Sequence, residues 1–422
     1  MWNSKNVSCG CIVSPETLEA CIGKGIARWV KGRKEPVKRR DMEKCYGQWD
    51  SAQTLAMTTN EVRRVFRKYT RLVVVPIDQN PEATLLLCPM LYHRACVETF
   101  NCNTSFRVLQ KSEAQIIARM KDEYVRRGLD RIARWQIGGK IGQAYILPKD
   151  KDLGRWRPIS PSTFDPARLA ATRVGKAIRF MLFGIKRADH FDLKSMDEMG
   201  EWCKGVEGKL RACGDGVLAR SYDIKDMFAR LSHESVLDAV EWVTRYHEKK
   251  GMKGVKVSLR GKMCAMVKRM RKEEGFTVIS FDDVRKEAEF ELSQSFVKCI
   301  GNVLSQHFGI PMGRNSSPSL ARLVCAKAES AFMRRTYEVG LTVRGMRMID
   351  DVAVMVGFAP GISETFRRVV QMLDEFERCY DENLKLVRKD EGGNAFDFLG
   401  NRVIIEIEPV RVNVLPRTKK DA

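Results

Sequence analysis

No uninterrupted run of about 18 apolar residues occurs in the 422-residue sequence, which excludes an ordinary membrane-spanning helix. The opening residues, MWNSKNVSCGCIVS, do not follow the basic, then apolar, then small-residue order of a secretory leader. Cysteine occurs 13 times, an odd number with no framework spacing, so free thiols in a reducing, intracellular compartment are expected rather than a disulfide scaffold. Histidine is scarce, with 5 in all, and the nearest approach to a zinc spacing, His93-x2-Cys96-x5-Cys102, lacks a paired-cysteine knuckle. Acid is also short: 53 Asp+Glu against 74 Lys+Arg leaves a net charge of +21. A surplus of that size sets a positive field over much of the surface and favours a polyanionic partner, nucleic acid above all.

What is present is otherwise ordinary for a globular protein, with 44% apolar and 30% charged residues. The length suggests two or three domains. Residues 1–110 carry a basic run with an aromatic inside it, Arg28-Trp29-Val30-Lys31-Gly32-Arg33-Lys34, followed by Lys38-Arg39-Arg40. Such a run can grip phosphates while the ring stacks on a base, or form a solvated helix face. Ser112-x-x-Gln115 reads as a capping box opening a helix through Ile116, Ile117, Met120, Tyr124 and Val125. Ala144–Leu147 reads as extended chain, and Asp165-Pro166 as the start of a helix through Leu169, Val174, Ile178 and Met181.

Val217–Ile224 reads as a strand leading to a helix after His233. The strongly basic stretch 248–275, part of an insertion at about 248–290, is expected to be helical or looped and to lie over a nucleic-acid channel. Pro318–Tyr337 reads as a long helix, Thr342–Val356 as a hairpin, and Phe366 to Phe376 as a further helix before a short strand pair near Phe398 and Val403. The order predicts an α+β fold: an antiparallel sheet with helices on one face.

Two places carry acids in apolar settings. Asp223 ends a strand, and Asp350-Asp351 sit in the turn of the hairpin, flanked by Ile349 and by Val352-Ala353-Val354-Met355-Val356. Acids so placed are costly unless they meet cations. Three converging carboxylates suit a pair of divalent ions roughly 3.5–4 Å apart, the arrangement that joins a nucleotide to a primer hydroxyl. Phe281-Asp282-Asp283-Val284 offers a similar acidic pair, but Arg285-Lys286-Glu287 beyond it is solvated in character. That pair reads instead as the start of the helix carrying Phe290 and Leu292.

The order of motifs resembles the reverse transcriptases. Tyr222-Asp223-Ile224-Lys225-Asp226-Met227-Phe228 resembles their motif A; Phe308-Gly309-Ile310-Pro311-Met312-Gly313-Arg314-Asn315-Ser316-Ser317-Pro318 their motif B; Met348-Ile349-Asp350-Asp351 their motif C. Phe396-Asp397-Phe398-Leu399-Gly400 resembles the primer-grip element, and Leu147–Ile159 the fingers segment ending in Arg157-Pro158-Ile159. The wording of motifs A and B looks closest to Penelope-like reverse transcriptases.

The resemblance implies a right-hand polymerase with fingers (111–214), a palm (215–403), an N-terminal region (1–110) of unknown role and a short tail (404–422), the thumb being short or absent. A partner chain could then supply the thumb function. It implies Mg²⁺, with Mn²⁺ as substitute, as two ions held by Asp223, Asp350 and Asp351, with the Ile224 carbonyl a minor ligand. Lys149, Arg155 and Arg157 would meet the triphosphate of an incoming dNTP, and Gly309 and Gly313 would let backbone approach nucleotide and template. Lys389, with Lys385 as rival, would protonate the leaving pyrophosphate.

Phe228, five residues after the first aspartate, would exclude a ribose 2′-hydroxyl, although a ring there also packs a core. With Ile349 in place of glycine before the paired acids, it favours RNA-templated DNA synthesis from a DNA or RNA primer over a viral RNA-directed RNA polymerase. A non-catalytic nucleic-acid-binding descendant is the third reading.

Overall fold

The structure, a computed structural model, describes Ala20 and residues 58–416, apart from 187–188, 213, 215, 340–341 and 361–362. The basic runs of 28–40 lie outside the described residues. In chain order, the first elements are α1 (Thr59–Lys68), β1 (Val73–Ile77), β2 (Asn80–Leu87), α2 (Pro89–Cys96), β3 (Phe106–Leu109), α3 (Glu113–Arg126), β4 (Tyr145–Lys149) and β5 (Asp152–Ile159). Next come α4 (Arg168–Phe183), α5 (Met199–Arg211), β6 (Gly216–Lys225), α6 (Met227–Arg230), α7 (His233–Glu248), β7 (Gly254–Ser258), β8 (Cys264–Val267) and β9 (Phe276–Ser280). The remainder are α8 (Phe281–Ser293), β10 (Phe296–Cys299), β11 (Asn302–Gln306), α9 (Ser317–Val339), β12 (Thr342–Met348), β13 (Asp351–Phe358), α10 (Ser363–Phe376), β14 (Lys385–Arg388), β15 (Ala395–Phe398), β16 (Asn401–Glu406) and β17 (Arg411–Pro416).

The chain divides into two compact units. One combines the described residues up to Ala95 with Ile146–Arg157 and contains the antiparallel hairpins β1–β2 and β4–β5. The other combines Cys96–Tyr145 with Pro158 onward and holds the large core.

The second unit is organised by a four-stranded antiparallel sheet in the order β12-β13-β6-β14. Side chains alternate across β13, as a strand's period of two requires. Val352, Val354 and Val356 enter a core with α4, α7, α9 and α10. Ala353 and Met355 enter another with α5 and the three-stranded sheet β15-β16-β17. The expectation of helices on one face alone is corrected: near-continuous apolar character in β13 reflects burial on both sides. Within the expected tail, Arg411–Pro416 pairs with Asn401–Glu406 as a strand.

The expected helix at Ser112 forms with its capping box, and Ile116, Met120 and Tyr124 are its buried residues. Ser280 caps α8 with Asp283, so the second acidic pair is a helix start. Two other readings are corrected. The Asp165 carboxylate accepts the Ala167 N–H in a local turn, delaying the helix to Arg168. The basic stretch 248–275, expected as helix or loop, supplies β7 and β8 of an antiparallel sheet in the order β8-β7-β9. Its central strand, Gly254-Val255-Lys256-Val257-Ser258, buries both valines. Among the described residues, no helix is long and apolar enough to cross a membrane.

Candidate active site

β6 delivers Asp223 to the end of a buried strand, where Asp351, the first residue of β13, stands directly opposite it. Asp350 lies in the two-residue turn closing β12 and β13, since Met348 pairs with Asp351. The turn is fastened to the neighbouring strand by the Ile224 N–H, which donates to the Asp350 carbonyl at 2.8 Å. Ile224, expected to lend its own carbonyl, is buried. Burial, then the charges of Asp351 and Asp223, push the Asp350 carboxyl above the usual aspartate value.

The turn holds Ile349 at φ +60°, a left-handed conformation that glycine adopts freely and a β-branched residue does not. A fully buried arginine beneath it answers that strain. Arg347 Nη1 donates to the Ile349 carbonyl at 3.3 Å. Its guanidinium meets Glu329 at 2.5 Å and Asp192 at 3.0 Å, and the Tyr380 hydroxyl donates to Glu329 at 2.8 Å. Burial alone would raise the Glu329 carboxyl, but the Arg347 charge and hydrogen bonds hold it below its ordinary value. Sequence reasoning missed this network. Its one signal was Arg322 and Glu329 standing among the apolar residues of α9.

Lys389 is brought to the acids by the chain leaving β14, where its N–H donates to the Ser221 carbonyl. Its Nζ lies 2.7 Å from Asp351 Oδ1 and 3.1 Å from Asp223 Oδ1. Burial works against the ammonium, but the hydrogen bonds and charges of these two carboxylates outweigh it and raise the pKa. Lys385, the rival candidate, stands opposite Lys225 in the ladder. Among the described residues, no group of three His, Cys, Asp or Glu side chains is gathered as a ready metal cage. What Asp223 and Asp351 jointly hold here is the ammonium of Lys389. The donor set of hard carboxylate oxygens, two already converging on a cation, is chemically suited to magnesium.

Phe228 sits in the short helix α6, half-buried against the main core, and its carbonyl accepts the Ile310 N–H at 2.7 Å. Gly309, at φ +75°, lies so close that an added Cβ would come within 3.0 Å of that same carbonyl and 2.9 Å of the Ala229 carbonyl. Gly313, at φ +122°, crowds Ser160 in the same way, with 2.7 Å to its carbonyl oxygen. The close approaches that these glycines permit here are between protein backbones. Lys149, Arg155 and Arg157 share the β4–β5 hairpin of the other unit, where Arg157 pairs with Asp78 at 3.1 Å.

On comparison with solved structures, the fold is similar to that of telomerases. The particular structures are telomerases from two Candida species. Telomerase from Candida albicans in complex with a TWJ fragment of telomeric RNA superposes with a TM-score of 0.57 at 11% identity, covering 90% of this chain and 59% of that one. Apo telomerase from Candida tropicalis gives 0.57 at 11%, covering 97% of this chain and 68% of that one. The chain spans 52% to 68% of the length of the telomerase chains it matches. No protein-family model matches the sequence, and no curated protein does.

Proposed function

We propose that this chain is an RNA-directed DNA polymerase that extends a primer with dNTPs. The observation that carries the reading is the juxtaposition of Asp223 and Asp351 across one ladder step, with Asp350 tied to the same strand through Ile224. Motif order and the telomerase-like fold support it independently. The Penelope-like affinity rests on the wording of motifs A and B.

Asp223, Asp350 and Asp351 would hold Mg²⁺ ions, or Mn²⁺ in their place, which lower the pKa of the primer hydroxyl and neutralise the triphosphate. The chain's own residues do the rest. Phe228, its backbone locked by Ile310 and Gly309, presents a ring of fixed position to the sugar and selects deoxyribose. Lys389, kept protonated by Asp351 and Asp223, is the proton source for the leaving pyrophosphate. Lys149, Arg155 and Arg157 bind triphosphate oxygens, a role that rests on the motif resemblance. RNA template and DNA or RNA primer are the polyanionic partners that a +21 chain attracts, and a partner chain in the thumb's role would add to that grip.

The test is competition between dNTPs and rNTPs on an RNA template. The wild-type chain is expected to incorporate dNTPs at least 10-fold faster, and Phe228→Ala to narrow that ratio by a similar factor, roughly 1.4 kcal/mol of discrimination. Preference for rNTPs by the wild type would overturn the reading.

A further inference from the structure

Beyond the last ladder step of β14, where Arg388 stands opposite Tyr222, the main chain makes one more bond to β6. The Lys389 N–H donates to the Ser221 carbonyl at 2.8 Å. Residues paired in this way in an antiparallel ladder exchange two bonds, so the Ser221 N–H would ordinarily meet the Lys389 carbonyl. It donates instead to Asp390 Oδ2 at 2.9 Å. A side-chain carboxylate thus completes the rung on which Lys389 stands.

Asp390 is itself held fast. Its side chain is 3% exposed, and Arg388 donates to its Oδ1 through Nε at 2.9 Å and Nη2 at 2.6 Å, so the residues on either side of Lys389 are paired. The Gly392 N–H donates to the same oxygen at 3.1 Å, where the chain turns away with Gly392 at φ +84° and Gly393 at φ +89°. Burial alone would raise the Asp390 carboxyl, but the Arg388 hydrogen bonds, the Ser221 N–H and the Arg388 charge hold it below its ordinary value. Both oxygens therefore act as acceptors at neutral pH. Ser221 and Asp223, two residues apart on one strand, share a face. A residue fixed opposite Ser221 is within side-chain reach of Asp223 and of Asp351 beside it, and Lys389 Nζ lies between them.

We propose that Asp390 is a positioning residue for nucleotide addition: by accepting the Ser221 N–H and pairing with Arg388, it fixes the backbone from which Lys389 reaches the two acids. It acts on the reaction through Lys389 alone. The inference rests on the polymerase reading, with Lys389 as the proton source. A reacting group misplaced by about an ångström can lose roughly 10²-fold in rate, so loosening this rung should cost turnover and leave nucleotide binding unchanged.

The test is a double-mutant cycle in primer extension on an RNA template with Mg²⁺. Asp390→Ala is expected to lower kcat by about 10-fold, with KM for the dNTP within about 2-fold of wild type. In the Lys389→Met background the same substitution should change kcat by less than about 2-fold, since nothing remains to be positioned. Asp390→Asn keeps an oxygen for the Ser221 N–H and should recover most of the loss. Should Asp390→Ala not fold, Arg388→Ala removes the other half of the pair and should show the same dependence on Lys389. In metal-free protein, hydrogen exchange at the Ser221 amide should quicken by about 10-fold or more in Asp390→Ala and not in Asp390→Asn. With an active wild type, an equal kcat loss in both backgrounds, a loss carried by KM, or unchanged Ser221 exchange in Asp390→Ala would overturn this inference and leave the polymerase reading standing. A wild type that extends no primer would overturn the polymerase reading, and this one with it.

Discussion

Asp351 stands directly opposite Asp223 in the ladder joining β13 to β6, and Lys389 Nζ bridges the two carboxylates. Like charges at adjacent positions repel, and the ammonium offsets that repulsion.

Replacing this lysine separates its two roles. Lys389→Met is expected to lower the turnover of primer extension by roughly 10²-fold, the scale of a lost general acid, with little change in KM for the nucleotide. Because the folded-state pKa is raised, the stabilisation from its carboxylate partners is fully present below the unfolded lysine value and is lost as pH rises through the higher folded one. Thermal melts should therefore show the variant less stable than wild type at pH 7–9, with the gap closing above about pH 10.5.

Asp350 has the same sign of pH dependence in a more acidic window, with stability again falling as pH rises. Its carboxyl is raised by burial and by two neighbouring acids, so ionisation opposes folding. That penalty is absent below the unfolded aspartate pKa of about 3.9, grows as pH rises through the folded value, and is complete above it. In metal-free buffer at pH 7.5, Asp350→Asn should melt a few degrees higher than wild type, with the advantage gone near pH 4. A variant of lower stability at pH 7.5 would contradict the burial argument.

Gly309→Ala tests whether the glycine-rich turn serves motif A. The new Cβ would meet the Phe228 and Ala229 carbonyls and would sit in the left-handed region. A cost of about 1–3 kcal/mol is expected, with a loss of dNTP selectivity as Phe228 is displaced. Calorimetry and the dNTP/rNTP ratio read the two effects.

The sequence was most legible where apolar pattern and acid coincide. Asp223 at a strand end and Asp350-Asp351 in a hairpin could be placed because Val352–Val356 and Val217–Ile224 leave few alternatives to buried strands. The reading failed where charge hid a pattern. Val255 and Val257 alternate around Lys256 as a half-buried strand should, but the surrounding lysines and arginines drew it toward helix or loop. It failed again where single buried charges resemble surface ones. Nothing local distinguishes Arg347 or Asp192 from a solvated residue, since their partners come from distant segments. Likewise, that Gly309 faces Phe228 follows only from tertiary packing.

Arg347 is the most exacting of those hidden residues. Arg347→Met leaves Glu329 and Asp192 buried without their shared cation and removes the donor that supports the Ile349 carbonyl. Breaking one side of such a network is expected to cost about 3–5 kcal/mol in chemical unfolding. Arg347→Met with Glu329→Gln should recover part of that loss, because one uncompensated charge is then gone.

The central claim is that the acids of two adjacent strands cradle the metal ions of nucleotide transfer. Its most direct measurement is Mg²⁺-dependent extension of a primer on an RNA template, comparing wild type with Asp223→Asn and Asp350→Ala. The account predicts extension by the wild type, its loss on chelation, and a drop of at least roughly 10²-fold in each variant, about 2.7 kcal/mol or more of transition-state stabilisation. Equal incorporation by wild type and variants would contradict it.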